Sequence, residues 1–237
     1  YELDIYKSIK DIENKIQENK EYIKDLKNRF NNDFNNIITF LQKNNFIDEE
    51  NNIKEKGILA INIQETHCLA FIEFLEQYNY FENFSASELA AILSCFANIR
   101  VKEDFKIFDV KNLTNNNVFN TALISIKNIL EKYEDQEYYF NIYTNESPCY
   151  LFELVNPVLN WCNSNNEIEC KKIIKQCEYD YEIFTGEFVK ALLKINNMVN
   201  EMELIAEYTG NIRFLHKLRE IPELTLKFIA TNQSLYV

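Results

Sequence analysis

Residues 1–30 place Ile5, Ile9, Ile12, Ile16, Asn19, Ile23, Leu26 and Phe30 in alternating steps of four and three. That alternation is the period of a coiled-coil seam, and it predicts a helix with one narrow apolar stripe. A stalk packed against a single partner helix fits the stripe. An ordinary surface helix of a bundle fits the same spacing. Asn19 within the seam either pins register or is tolerated at a hinged point. Phe34, Ile37, Ile38 and Leu41 give a second short helix over 34–45. Phe46-Ile47, a polar run from Asp48 to Asn52, and Ile53 to Ile61 then suggest a small β-hairpin, the way a winged-helix unit ends.

From residue 63 onward the apolar spacing is helical nearly to the end. Leu69, Ile72, Phe74 and Leu75 mark one helix. Ser85-Ala86-Ser87-Glu88 is a capping box, with Phe84 and Leu89 forming a hydrophobic staple around it, and Leu89, Ile92, Leu93 and Phe96 forming the apolar face beyond. Residues 101–117 suggest a loop. Residues 118–133 form an amphipathic helix through Phe119, Leu123, Ile126, Leu130 and Tyr133. A loop at 141–148 precedes a helix through Phe152, Val155 and Trp161, which Pro157 is expected to kink or break. Ser164-Asn165-Asn166-Glu167 suggests a second capping box, opening a helix that buries Cys170, Ile173, Ile174 and Cys177. Thr185-Gly186 opens a longer helix with Phe188, Leu192, Ile195, Val199 and Met202 on its core face and Gly210 as its C-cap. Ile212, Leu215 and Leu218, then Leu224, Phe228 and Ile229, mark the last helices, with Pro222 at a start or a kink. The expected fold is mainly α.

Composition narrows the chemistry. Hydrophobic residues make up 46% of the 237, enough to bury a sizeable core. Only three glycines are present, at 57, 186 and 210, too far apart to form a phosphate-binding loop, a dinucleotide turn or a nucleophile elbow together. No cofactor is expected on this chain itself. The net charge of −12 argues against nonspecific nucleic-acid binding by the whole surface and leaves room for a local basic face. Residues 1–30 balance seven basic against seven acidic side chains, so the whole excess lies beyond them.

Cysteines stand at 68, 95, 149, 162, 170 and 177 without any C-x-x-C pair, and several fall in apolar helical patterns. Reduced core thiols, and hence an intracellular protein, are expected. No apolar run long enough for a membrane span and no signal peptide is visible. The first residue is Tyr, which suggests an excerpt of a longer chain. His67-Cys68 and the loosely spaced Cys162, Cys170 and Cys177 lack the tight spacing of a zinc site, and buried thiols are the preferred reading. With only His67 and His216, Cys–His catalysis is disfavoured. Asn83-Phe84-Ser85 and Asn112-Leu113-Thr114 match glycosylation sequons without any sign of secretion.

Several runs together resemble a known family. They are Phe40-Leu41 to Phe46-Ile47, Lys56-Gly57-Ile58-Leu59-Ala60, and Leu89-Ala90-Ala91-Ile92-Leu93-Ser94-Cys95-Phe96-Ala97. Trp161-Cys162, Thr185-Gly186-Glu187-Phe188-Val189-Lys190 and the closing Ser234-Leu235-Tyr236-Val237 join them. They resemble the C-terminal region of DExH-box RNA helicases of the superkiller and exosome-associated type, whose last domain is called DSHCT. The likeness covers residues 37–98 and 150–237 well, while 101–149 match only as a helix of suitable length.

The resemblance implies a stalk helix over 1–30, the end of a winged-helix unit over 31–61, and a helical DSHCT-like bundle over 62–237. It further implies RecA-like motor domains upstream in the same polypeptide, with ATP and Mg bound there. Single-stranded RNA and RNA-decay or processing factors are the implied partners, with no membrane. The setting would be cytoplasm or nucleus, or a virion for a viral protein.

The family's bundle lines the RNA path with a basic helix, and the carry-over falls on Lys190 and Lys194, one turn apart and opposite the Phe188–Leu192–Ile195 face. Two ammonium groups in register would meet a phosphate backbone without reading sequence. The plain alternative is two solvated lysines. Arg100 stands where the family carries an acid near the bases, and it could grip phosphate instead. Ile58 and the lysines at 190 and 194 replace arginines of the family pattern, which weakens forked contacts. A rival reading is a motor-less helical scaffold or protein-interaction module.

Overall fold

The computed structural model describes residues 2–111, 113–142 and 150–228. Among them the architecture is mainly α, and the only β pairing is a single antiparallel bridge between Ile47 and Ile53. The chain forms two compact units, one of Tyr1–Lys54 with Gln136–Thr144 and one of Glu55–Asp135 with Asn145–Val237.

The first unit is led by α1 (Glu2–Lys43), one continuous helix. The sequence reading breaks it after Phe30 at the polar run Asn31-Asn32-Asp33. In the structure that run stays helical, because no Gly or Pro interrupts it and each Asn costs a helix only a few tenths of a kcal/mol, about 0.7 at most. The stripe side chains described on α1, from Ile12 through Phe30, are exposed.

The helix stops in a Schellman motif. Asn45 takes a left-handed φ of 69°, the Phe46 N–H donates to the Leu41 carbonyl at 3.0 Å, and the Asn45 N–H to that of Gln42 at 3.0 Å. Phe40, Phe46 and Ile47 are buried there, with Phe40 edge-on to Phe140 at 5.9 Å. The expected hairpin shrinks to the Ile47–Ile53 bridge around an Asp48 turn, whose Oδ1 accepts the N–H groups of Glu50 and Asn52. Its intended second strand is instead helix α2 (Glu55–Ala60). There Gly57, Leu59 and Ala60 are buried, a spacing that does not alternate as a half-buried strand requires.

In the second unit α2 packs on α3 (Cys68–Gln77), and α4 (Ala86–Leu93) lies at the centre, against α6 (Val155–Asn163), α8 (Thr185–Thr209) and α9 (Ile212–Thr225). Helix α7 (Glu167–Tyr181) packs on α6 and α8. Helix α5 (Asn117–Tyr139) enters through an Asn116 side chain that accepts the Val118 and Phe119 N–H groups. The capping box at α4 forms as expected. Ser85 Oγ accepts the Glu88 N–H at 3.2 Å and Glu88 accepts the Ser85 N–H at 2.9 Å, with Phe84 and Leu89 both buried.

The second expected box shifts by two residues. Asn166 caps α7 by accepting the Glu169 N–H, and Glu169 reaches back to the Asn165 N–H. Ser164 is drawn into the core, where it donates to the Trp161 carbonyl at 2.7 Å and lies 2.9 Å from Cys170 Sγ. Pro157 neither kinks nor breaks α6. It falls in the first turn, where its missing N–H leaves no helical bond unmade. Pro222 lies inside α9 near its C-terminal end, and the segment 212–225 is one helix. The Trp161 indole N–H donates to the Thr225 carbonyl at 2.9 Å, and its ring meets Phe188 at 5.3 Å, tying α6, α8 and α9 together. The loop expected at 141–148 falls largely outside the described residues, as do Ile229 and the terminal Ser-Leu-Tyr-Val run.

Candidate functional site: the outer face of helix α8

Helix α8 carries the two lysines singled out in the sequence. Its inner stripe of Phe188, Leu192, Ile195, Val199 and Met202 is fully sealed. Glu187 sits in its first turn, where a carboxylate complements the helix dipole. Gly210 ends it in the left-handed region at φ 65°, with the Asn211 N–H donating to the Ala206 carbonyl at 2.9 Å. With the inner positions fixed, residues 190, 194, 197 and 201 fall on the opposite side in steps of four, three and four.

Lys190 and Lys194 share that face but not an environment. The Lys190 side chain is 70% exposed and stands 3.6 Å from Glu187. The Lys194 side chain is 23% exposed and makes a 2.9 Å ion pair with Glu65. Glu65 also accepts from the Asn197 amide at 3.1 Å. The segment bearing it is anchored by Glu201, whose carboxylate accepts the Gln64 and Glu65 N–H groups at 3.2 and 3.3 Å. The hydrogen bond from Lys194 holds the Glu65 carboxyl below the usual carboxylate range, whereas burial pushes Glu201 up.

Arg100 lies in the irregular stretch after the 3-10 turn Ser94–Phe96, exposed, with no ion pair to a described residue. The structure thus joins Lys190 and Lys194 on one helix face and links Arg100 to neither by a contact. Glu65, Asn197 and Glu201 escaped the sequence reading. Asn197 and Glu201 were within reach of it, since they extend the four-and-three stepping from Lys190; Glu65 comes from a distant segment with no local signal.

A second polar cluster surrounds Glu73, which accepts from Lys132 at 2.7 Å and from the Tyr133 hydroxyl at 2.8 Å, with Lys56 at 3.8 Å. Burial pulls the Glu73 carboxyl upward, but these donors prevail and it lies below its ordinary value. Lys56 also stands 3.6 Å from Glu76. His67 caps α3, its Nδ1 accepting the Ala70 N–H at 3.2 Å.

Cys95, Cys162 and Cys177 are buried, and burial pushes the Cys162 and Cys177 thiols up to about 12, so they are protonated near neutrality. Among the described residues no group of three His, Cys, Asp or Glu side chains could hold a metal ion. No described helix is long and apolar enough to cross a membrane. Tyr78, Phe81 and Phe84 form an aromatic cluster with Phe74, and Phe84 also meets Phe119 at 6.2 Å, which makes them packing residues. Two open grooves of about 410 and 420 Å³ lie elsewhere, one along Asn79–Glu82 and Asn211–Lys217, the other along Leu113–Asn116 and Asn156–Asn160.

By fold the chain is a helical-bundle protein with a mixed-charge outer face on its longest core helix. Residues 50–232 match the DSHCT (NUC185) domain, and the chain belongs to the DSHCT family, whose domain occurs in the C-terminal regions of DExH-box RNA helicases. Among curated proteins nothing matches the chain.

Proposed function

We propose that this chain is the C-terminal helical part of an ATP-dependent RNA helicase, which braces RecA-like motor domains and guides single-stranded RNA along α8. In this reading residues 1–30, the first part of α1, are a stalk helix, and residues 31–61 are the end of a winged-helix unit. RNA-decay or processing factors are the partners. The nucleotide chemistry belongs to the motor domains. Gly57 and Gly186 lie within helices and Gly210 caps one, so none opens a phosphate loop here.

The observation that carries the reading is the position of Lys190 within a DSHCT domain. Its ammonium is exposed on the side of α8 away from the sealed stripe, one turn from Lys194. Such a group contacts phosphate without reading bases, so its signature is salt dependence. Lys190→Gln in the 237-residue chain is expected to weaken binding of a fluorescent oligouridylate. It should reduce the slope of log affinity against log salt by about 0.7, the value for one contact to a single strand. An unchanged slope contradicts the assignment. Arg100 is a third, peripheral phosphate contact in this reading, with a smaller expected effect because no described side chain orients it.

The exposed apolar stripe of α1 favours a second reading, a helical module that assembles with protein partners and does not guide RNA. RNA binding indifferent to Lys190 would favour it.

A further inference from the structure

The partner of Lys194 bears directly on how α8 would receive RNA. Glu65 does not lie beside Lys194 by chance of a floppy surface chain. It is held at 2.9 Å by Lys194 and 3.1 Å by Asn197, and its backbone N–H is held by Glu201. Lys194, Asn197 and Glu201 lie on one stripe of α8, so a single helix face grips the whole 64–65 segment. The acceptor presented to Lys194 is a singly charged group with two equivalent oxygens. A phosphodiester offers an ammonium the same thing. The Lys194 side chain is only 23% exposed and its ammonium is already engaged by Glu65, so a phosphate reaching it competes with that carboxylate. Lys190, one turn away, keeps only a 3.6 Å approach to Glu187 and stays open to solvent.

We propose that Glu65 is an intramolecular stand-in for RNA phosphate that reserves Lys194. Helix α8 then takes up a strand in two grades, Lys190 first and Lys194 only once phosphate replaces the Glu65 carboxylate. The proposal rests on the RNA-guiding reading above. It makes Glu65 a positioning residue that sets how many phosphates α8 holds.

The test is a double-mutant cycle on oligouridylate binding across a salt series, using the full 237-residue chain. Glu65→Gln keeps an oxygen to accept from Asn197 and removes the charge. It is expected to raise affinity about 2- to 5-fold, the order of a single ion pair near the surface released, and to steepen the salt slope by about 0.7. In a Lys194→Gln background the same change should produce no gain. Equal gains in both backgrounds mean that Glu65 acts only as a diffuse negative charge, and overturn the proposal. No gain from Glu65→Gln, with Lys190→Gln still weakening binding, overturns the role of Glu65 and leaves the RNA reading standing. Indifference to both substitutions overturns both. Thermal melts of the variants, expected to be cooperative like the parent's, verify that each retains the fold.

Discussion

Helices α1 and α8 both show apolar residues at helical spacing, and their fates differ. On α8 the stripe of Phe188, Leu192, Ile195 and Val199 is sealed. On α1 Ile16 is 49% and Phe30 69% exposed. Periodicity states that a helix has a face; it does not state what covers that face. The width of the stripe carries part of the answer. Helix α8 buries eleven residues around much of its circumference, as a helix inside a bundle must. The α1 seam is one residue wide and lies among balanced charges, the form suited to a single partner helix.

Stability measurements sharpen the contrast. Leu192→Ala empties a sealed position between α8 and its neighbours and is expected to cost about 2–5 kcal/mol in urea unfolding. Ser85→Ala removes one side of the capping box on α4 and should cost about 1 kcal/mol. Ile16→Ala on α1 removes side-chain surface that is already half in water, and should change stability by about 0.5 kcal/mol or less. The order Leu192, Ser85, Ile16 is the signature. A loss at Ile16 comparable with that at Leu192 would mean that the α1 stripe is covered in solution.

What the sequence made legible was local. The Ser85 box, the Gly210 cap and the buried face of α8 all depend on residues within one or two turns of each other, and all form. The misreadings came where a local pattern admitted more than one outcome, and packing or helix continuity chose between them. Ser164 has the type and spacing of an N-cap, but Trp161 and Cys170 draw it inward and Asn166 takes the cap. Ile53 to Ile61 has strand-like residues, but the burial of Leu59 and Ala60 is met by a helix. Asn31-Asn32-Asp33 has loop composition, but no breaker stops the helix running through it.

The candidate site divides in the same way. Lys190 and Lys194 were found by spacing and likeness on one helix. Their different electrostatic settings were not, because Glu65 arrives from a segment far away in sequence. Two lysines that looked equivalent are in the structure one exposed and one engaged. The acidic balance of the chain is therefore felt at the site as a specific carboxylate on a specific ammonium, as well as a general field.

The most direct test of α8 as an RNA-guiding face is site-specific photocrosslinking. A benzophenone amino acid placed at Lys190 on α8, or at exposed Lys175 on α7 as a control, would be irradiated with labelled oligouridylate bound to the 237-residue chain. An RNA-guiding α8 yields RNA adducts from position 190 and few from position 175. Equal yields from the two positions, or adducts from 175 alone, would contradict it.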